Sequence, residues 1–373
     1  MRAMLGVHKI HVDEWAEVWD LLRPYADESF WQWPEEFDPD ARYIVGRVVL
    51  KDNWQAITEL ATQYPGRIIF SNPAEGSETI LLQLKRLRIS EYVQDGRIGL
   101  LTSGDLEPGI RYCQTDCYFS NIVEYTENQA AQLQGALDHK DNRPYTFLFL
   151  NGRLRPHRKA LIDGLRDLGL LKHALWSCLG SQVEMAFTSK LQTKKLEPIR
   201  LLPLEYEIDR ARPNLKPSLY TAGGFVKHEL FGNTWGDAIV NARCYTDSWF
   251  SLVSETIFDY PYTFRTEKIW KPILMAHPFV VAANPGYYRS LHQAGFRTFG
   301  HLIDESFDQI DNPHDRIQCI IETVAWIVDQ GASDFWEASR DICKYNQQRL
   351  AEYNQQQRAQ LPQRLLSYIN EYL

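Results

Sequence analysis

Two short stretches of this 373-residue chain gather side chains that bind anions. In Phe147–Leu165 (FLFLNGRLRPHRKALIDGL) an apolar strand-like run enters Asn-Gly. Arg153, Arg155, His157, Arg158 and Lys159 then fall within seven positions where an amphipathic helix begins. Backbone N–H groups left unbonded in a first helical turn favour negative charge, and so does the helix dipole. Arginine adds a planar fork that matches phosphate. Such a cluster predicts a phosphate site; the other reading is a set of arginine–carboxylate pairs between domains.

The second stretch is Trp249–Ile273 (WFSLVSETIFDYPYTFRTEKIWKPI). A strand ends in Ser254-Glu255-Thr256, an aromatic loop follows, and Thr266-Glu267-Lys268 opens a helix. Thr266 suits an N-cap. Glu267 suits the first helical turn and could accept both hydroxyls of a ribose, while Lys268 could reach a phosphate. A solvated helix start accounts for Glu267 and Lys268 equally well on spacing alone.

These stretches need elements to position them. In the first part, Tyr43–Leu50 and Arg67–Phe70 read as strands, as does Ile98–Thr102. Asn53–Tyr64 and Ile80–Leu87 between them have helical spacing. The pattern restarts with a strand at Tyr145–Leu150, a helix at Lys159–Leu168 and a strand at Leu175–Cys178. Ser189–Pro217 is a polar connection rich in Lys and Pro. Strands at Trp249–Ser254 and Phe279–Ala282 follow, with helices at Lys268–Met275 and Tyr287–Ala294. Arg316–Gly331 and Asp334–Tyr368 are long helical patterns. Alternating strands and helices predict an α/β fold with parallel sheets in two doubly wound domains, 1–144 and 145–373, closed by long C-terminal helices. Ligands of such sheets lie at the carboxyl ends of strands, which is where both cationic stretches fall.

Composition narrows the partners. Hydrophobic residues make up 44% and charged residues 24%, ordinary for a folded globular chain. No run approaches the roughly 20 apolar residues of a membrane helix, and the first residues lack a secretory pattern. Six cysteines suggest free thiols and a cytoplasmic setting. The net charge of −8 is uneven: through Tyr145 there are 14 Lys and Arg against 23 Asp and Glu, and the remainder is near neutral. An acidic first half is a poor footprint for nucleic acid. Lys190–Arg200 reads as a solvated loop. Cys113 and Cys117 lack a second ligand pair for zinc. Trp31 and Trp33 read as core or as a sugar-stacking platform.

Three blocks together carry a resemblance: Phe147–Arg158, Ser251–Ile273 and Gly295–Asp308 (GFRTFGHLIDESFD). The strand–SET–loop–TEK–helix–HPFVVAANPG succession resembles the donor-binding region of the α-1,3-fucosyltransferase family. The three-block set resembles a group of predicted glycosyltransferases, many of them viral. The resemblance covers about Tyr145 to Arg316. It implies two Rossmann-like domains facing across a cleft, the GT-B arrangement, with an acceptor-side first domain and a second domain that holds a nucleoside-diphosphate sugar. It implies that Arg158 grips the donor diphosphate, that Glu255 lies near the donor sugar and base, that Glu267 binds the ribose and that Lys268 binds phosphate. Ser254-Glu255-Thr256 stands where that family has Glu-Asn-Ser, so the base and sugar are not carried over.

The implied reaction moves a sugar to an acceptor hydroxyl, of a glycan or of a hydroxylated DNA base, with inversion. A host cytoplasm would be the viral setting. Protein cations would neutralise the leaving diphosphate, so no metal and no cofactor beyond the donor are expected. The one Asp-x-Asp triplet, Asp38-Pro39-Asp40, reads as a loop. The acceptor needs a general base, and Glu75, after the strand at 67–70, is the first candidate. Asp105, in the loop after the strand at 98–102, is the second. Asp304 and Glu305 of the third block read either as hydroxyl or arginine partners or as an acidic helix start. The rival readings are a non-catalytic nucleotide-binding or assembly protein of the same fold, and a sugar-phosphate phosphatase or kinase. The latter lacks its carboxylate cluster or glycine-rich loop. The oligomeric state is left open.

Overall fold

The computed structural model describes residues 9–14, 16, 22–30, 32–73, 77–106, 108–116, 143–151, 154–178 and 242–373. The chain divides into two compact units. One is Met1–Tyr118 with Asn354–Leu373, the other Phe119–Tyr353. The last 20 residues, which the alternation of elements assigns to the second domain, thus group with the first unit.

The first unit is built on a six-stranded parallel sheet. Its strands are β1 (Lys9–Asp13), β2 (Glu28–Phe30), β3 (Ala41–Val45), β4 (Ile68–Asn72), β5 (Ile98–Thr102) and β6 (Cys113–Gln114), in the order β2-β1-β3-β4-β5-β6. Helices α1 (Arg47–Asp52), α2 (Trp54–Gln63), α3 (Ser77–Arg86) and α4 (Ser90–Gln94) connect them. Tyr43, Val45, Ile68, Phe70 and Leu100 pack on one face against Leu50, Ile57, Ile80 and Val93 of those helices. Ile44, Ile69 and Leu101 pack on the other against Leu361, Leu365 and Ile369.

Tyr43–Leu50, expected as one strand, is a strand only to Val45 and a helix from Arg47. Gly46 makes the break. A Cβ there would lie 2.9 Å from Ala16 Cα, and the Gly46 N–H donates to Asp13 Oδ2 at 2.9 Å. Tertiary contact at that position overrides the β-branched run. The short polar strands β1, β2 and β6 gave no strand pattern in the sequence.

The second unit holds a four-stranded parallel sheet: β7 (Tyr145–Asn151), β8 (Ala174–Cys178), β9 (Ser248–Ser254) and β10 (Phe279–Ala282), in the order β10-β9-β7-β8. Around it lie α5 (Pro156–Asp167), α6 (Ala242–Thr246), α7 (Glu267–Leu274), α8 (Tyr287–Gln293), α9 (Pro313–Gln330) and α10 (Ala332–Tyr372). Phe147 stacks on Phe250, and Phe250 and Phe299 both meet Phe335 of α10. Gly164 lets α5 lie against Ile321 of α9. No helix among the described residues is long and apolar enough to cross a membrane.

Candidate functional site

The strand order of the second sheet locates a crevice. From β7 the described chain goes outward to β8 and later returns to β9 on the other side of β7. Connections that diverge from two adjacent parallel strands leave an opening beyond their carboxyl ends. Both cationic stretches follow those two strands. After β7 comes α5, with Arg155 as its N-cap and Pro156 in its first turn; no side chain caps it. After β9 come Ser254, Glu255 and Thr256.

The two stretches, about 100 residues apart in sequence, meet on these three residues. Arg155 Nη1 donates to Thr256 O at 3.3 Å. Arg158 donates from Nε to Ser254 Oγ at 3.3 Å and from Nη2 to the carbonyls of Ser254 and Glu255, both at 3.2 Å. His157 Nε2 lies 3.0 Å from Glu255 O and donates to it, and its ring stacks on Phe258. Burial, and then the neighbouring Arg158, hold His157 well below its usual titration range. It is therefore neutral, not a fifth cation of the cluster.

From the other side, Thr266 caps α7 by accepting from the Lys268 N–H at 3.3 Å. Lys268 Nζ donates to Glu267 Oε1 at 2.6 Å, to Thr266 Oγ1 at 3.2 Å and to Thr256 Oγ1 at 3.4 Å. Burial pushes the Glu267 carboxyl up, but the ammonium groups of Lys268 and Lys271 outweigh it and hold the carboxyl below the usual range. Glu267 is ionised and paired, with the Lys268 side chain 26% exposed beside it.

Glu255 sits between the two sets, fully buried. Its carboxylate accepts from the Thr266 N–H at 3.1 Å, Thr266 Oγ1 at 2.7 Å, the Thr256 N–H at 3.1 Å and Tyr287 OH at 2.8 Å. Burial and the adjacent Glu255 keep the Tyr287 phenol protonated. Four donors on one carboxylate make Glu255 the fastening of the loop. Arg158, 3% exposed, is likewise bound to its carbonyls. Arg155 and Lys268 are the more accessible cations. Lys159 is buried and paired with Asp163 on its own helix.

The other candidates lie elsewhere. Arg153, Glu75, Trp31, Cys117 and Lys190–Arg200 fall outside the described residues. Asp105 is exposed on the loop after β5 in the first unit. Asp38-Pro39-Asp40 is a turn at the amino end of β3, with the Asp40 N–H donating to Asp38 Oδ1 at 2.9 Å and Lys9 Nζ donating to Asp38 Oδ2 at 2.7 Å. Trp33 packs with Phe30, Phe37 and Tyr43. In the third block, Glu305 accepts from Thr298 Oγ1 at 2.7 Å and from the Phe299 N–H at 2.6 Å, and Asp304 accepts from the Ser306 N–H at 2.9 Å. Asp308 accepts from the Tyr288 N–H at 2.9 Å at the start of α8. Asp304 and Glu305 close local turns, while Asp308 ties the block to α8 and Arg297 ties it to Asn346 of α10.

Sequence reasoning missed Tyr287 and Arg316. The buried Arg316 guanidinium donates to Ala283 O at 3.1 Å, Asp311 O at 3.1 Å and Phe258 O at 2.5 Å, which ties the loop after β9 to the end of β10. Neither residue carries a motif; only their distant partners reveal their role. Comparison of the chain with protein-family models, curated proteins and solved structures finds no match.

Proposed function

We propose that this protein is a nucleoside-diphosphate-sugar-dependent glycosyltransferase of GT-B arrangement, similar to the α-1,3-fucosyltransferases. The observation that carries the reading is the meeting of Arg155, Arg158 and Lys268 on Ser254–Thr256 at the crevice of the second sheet. An uncapped helix start and accessible cations are what a diphosphate requires. Glu267, ionised beside Lys268, suits the two hydroxyls of a ribose.

In this reading the acceptor hydroxyl attacks the anomeric carbon and its proton passes to a carboxylate, Glu75 or Asp105 of the first unit. The bond to the diphosphate breaks and the nucleoside diphosphate leaves. The charge that grows on the leaving group is met by Lys268, Arg155 and the first N–H groups of α5, already in position. The acceptor is a glycan or a hydroxylated DNA base.

A thermal-shift screen of UDP, GDP, CDP and their sugars tests the reading. A ligand that binds only the folded chain at 100 times its Kd adds about 2.7 kcal/mol. One base should raise the melting temperature, and Lys268→Met should remove that shift. The reading fails if no nucleotide shifts the wild-type chain. Binding without sugar transfer to any glycan or hydroxymethylated DNA, unaltered by Glu75→Gln, supports the non-catalytic alternative instead.

A further inference from the structure

At the carboxyl end of β7, Asn151 is 2% exposed, and neither Nδ2 nor Oδ1 of its side chain has a hydrogen-bond partner. Its backbone is held by Ser177 Oγ on β8, which leaves the amide alone unmet. Buried amides are nearly always bonded, because an unmet donor or acceptor away from water is costly. Here both are unmet in one side chain, at the crevice that topology and charge mark as a ligand site.

The register shows where Asn151 lies. Phe147 is paired with Phe250 and Leu148 with Ser251. The paired residues end there; the same register continued three residues past Leu148 would bring Asn151 level with Ser254, the last residue of β9. Ser254 Oγ accepts from Arg158 Nε, and the described residues give it no acceptor for its own proton. On the far side of Ser254, its β10 partner Ala282 carries only a methyl group. An amide with donor and acceptor both open, a hydroxyl with a proton to give and a small neighbour thus adjoin the phosphate-binding cations.

We infer that Asn151, with Ser254, binds neighbouring hydroxyls of a sugar ring on the bound nucleotide. The inference rests on the nucleotide reading above and extends it to a hydroxyl-reading subsite. The chemistry of the amide selects the ligand group. A phosphate only accepts, so it would satisfy Nδ2 and leave Oδ1 unmet beside a negative charge. An aliphatic chain would satisfy neither. Adjacent hydroxyls each donate and accept, and they meet both atoms at once. Two rings offer them, the ribose and the transferred sugar.

Calorimetric titration of the wild type and Asn151→Leu tests this. The probes are inorganic pyrophosphate, UDP, GDP and CDP, the 2′,3′-dideoxy form of whichever nucleotide binds tightest, and that nucleotide's sugar conjugates. Pyrophosphate affinity should stay within about twofold, while a hydroxyl-bearing probe weakens about tenfold, the loss of about 1.4 kcal/mol. Loss already seen with the nucleotide and absent with its dideoxy form assigns the ribose. Loss seen only with the sugar conjugate assigns the transferred sugar. With its unmet amide gone, unliganded Asn151→Leu should melt about 2–4 °C higher. Asn151→Ala carries the same binding comparison without added bulk should the leucine not fit. Equal weakening of every probe, or of none, overturns the inference while leaving the phosphate reading standing. A wild-type chain that binds neither pyrophosphate nor any nucleotide overturns the phosphate reading first, and this inference with it.

Discussion

The two sheets share a topological device and use it differently. In each, the first strand described has its neighbours on opposite sides, β2 and β3 around β1, β8 and β9 around β7, so each has a crevice at its carboxyl edge. At the first crevice the protein supplies an acidic side chain of its own. Asp13, fully buried at the end of β1, accepts from the Gly46 N–H where α1 begins. At the second, α5 begins with no side-chain cap, and the groups around it are Arg155, Arg158 and Lys268. Topology makes an opening in both; on the reading proposed above, the cations gathered at the second are what would invite a diphosphate.

The largest effect should come from removing the fastening of the second crevice. Glu255→Ala leaves the Thr266 and Thr256 amides and two hydroxyls buried without an acceptor. We expect a loss of about 3–5 kcal/mol of stability in a denaturant titration, and no nucleotide binding. A variant of near wild-type stability would show that the loop does not depend on this carboxylate. Lys268→Met comes next. It keeps the aliphatic stem of a partly exposed side chain but takes one of its two ammonium neighbours from the buried Glu267, so the melting temperature should fall, and affinity is compared on the folded variant. Nucleotide affinity, measured by calorimetry, should fall about 10–100-fold with the loss of a charge-assisted bond. An unchanged affinity would remove the distinction drawn between the crevices.

The difference between the two crevices was only half legible in the sequence. The second could be read, because Arg155, Arg158 and Lys268 stand directly after apolar strand runs and at a helix N-cap signal. The first could not, because KIHVD is short and polar, and β1 is recognisable as a strand only once β2 and β3 flank it. The helical turn inside Tyr43–Leu50 was hidden for a related reason: Gly46 looks like an interruption until Ala16 and Asp13 are seen against it. Charge at a helix start is local and survives translation into sequence pattern. Apart from near neighbours such as Thr256 and Asp311, the partners that set the duties of Glu255 and Arg316 lie 11 to 58 residues away, and no spacing announces them. His157 shows a further limit, since burial made it neutral where its neighbours suggested a cation.

A third test uses pH and the block that supports the second sheet. Burial pushes the Glu305 carboxyl up to about 7. A carboxyl whose folded value is raised stabilises the fold below its unfolded value near 4.5, and loses that contribution as pH rises through 7. Glu267, held low, works in the opposite sense: its contribution is present above the unfolded value and disappears as the solution becomes more acid. Glu305→Gln imitates the protonated carboxyl, accepting from the Phe299 N–H and donating to Thr298 Oγ1. It should flatten the fall in stability between pH 5 and 8 and leave the variant more stable than wild type at pH 8, by on the order of 1–2 kcal/mol. A parallel pair of pH profiles would mean that Glu305 is ionised throughout.

The smallest expected change bears most directly on the comparison. Asp13→Asn removes the carboxyl of the first crevice but keeps an oxygen that can accept from the Gly46 N–H. The stability loss should be about 1 kcal/mol, the difference between a charged and a neutral hydrogen bond. The informative quantity is stoichiometry. If an opening at a switch of strand order were enough to hold an anion, the charge-free variant would bind a second pyrophosphate. We expect one site per chain in calorimetry, before and after the substitution, because the described residues at the ends of β1 and β3 offer a single exposed cation, Arg47 at the start of α1, where the second crevice gathers Arg155, Arg158 and Lys268. A second equivalent of pyrophosphate bound by Asp13→Asn would show that a single aspartate, and not the lack of further cations beside Arg47, kept the first crevice closed.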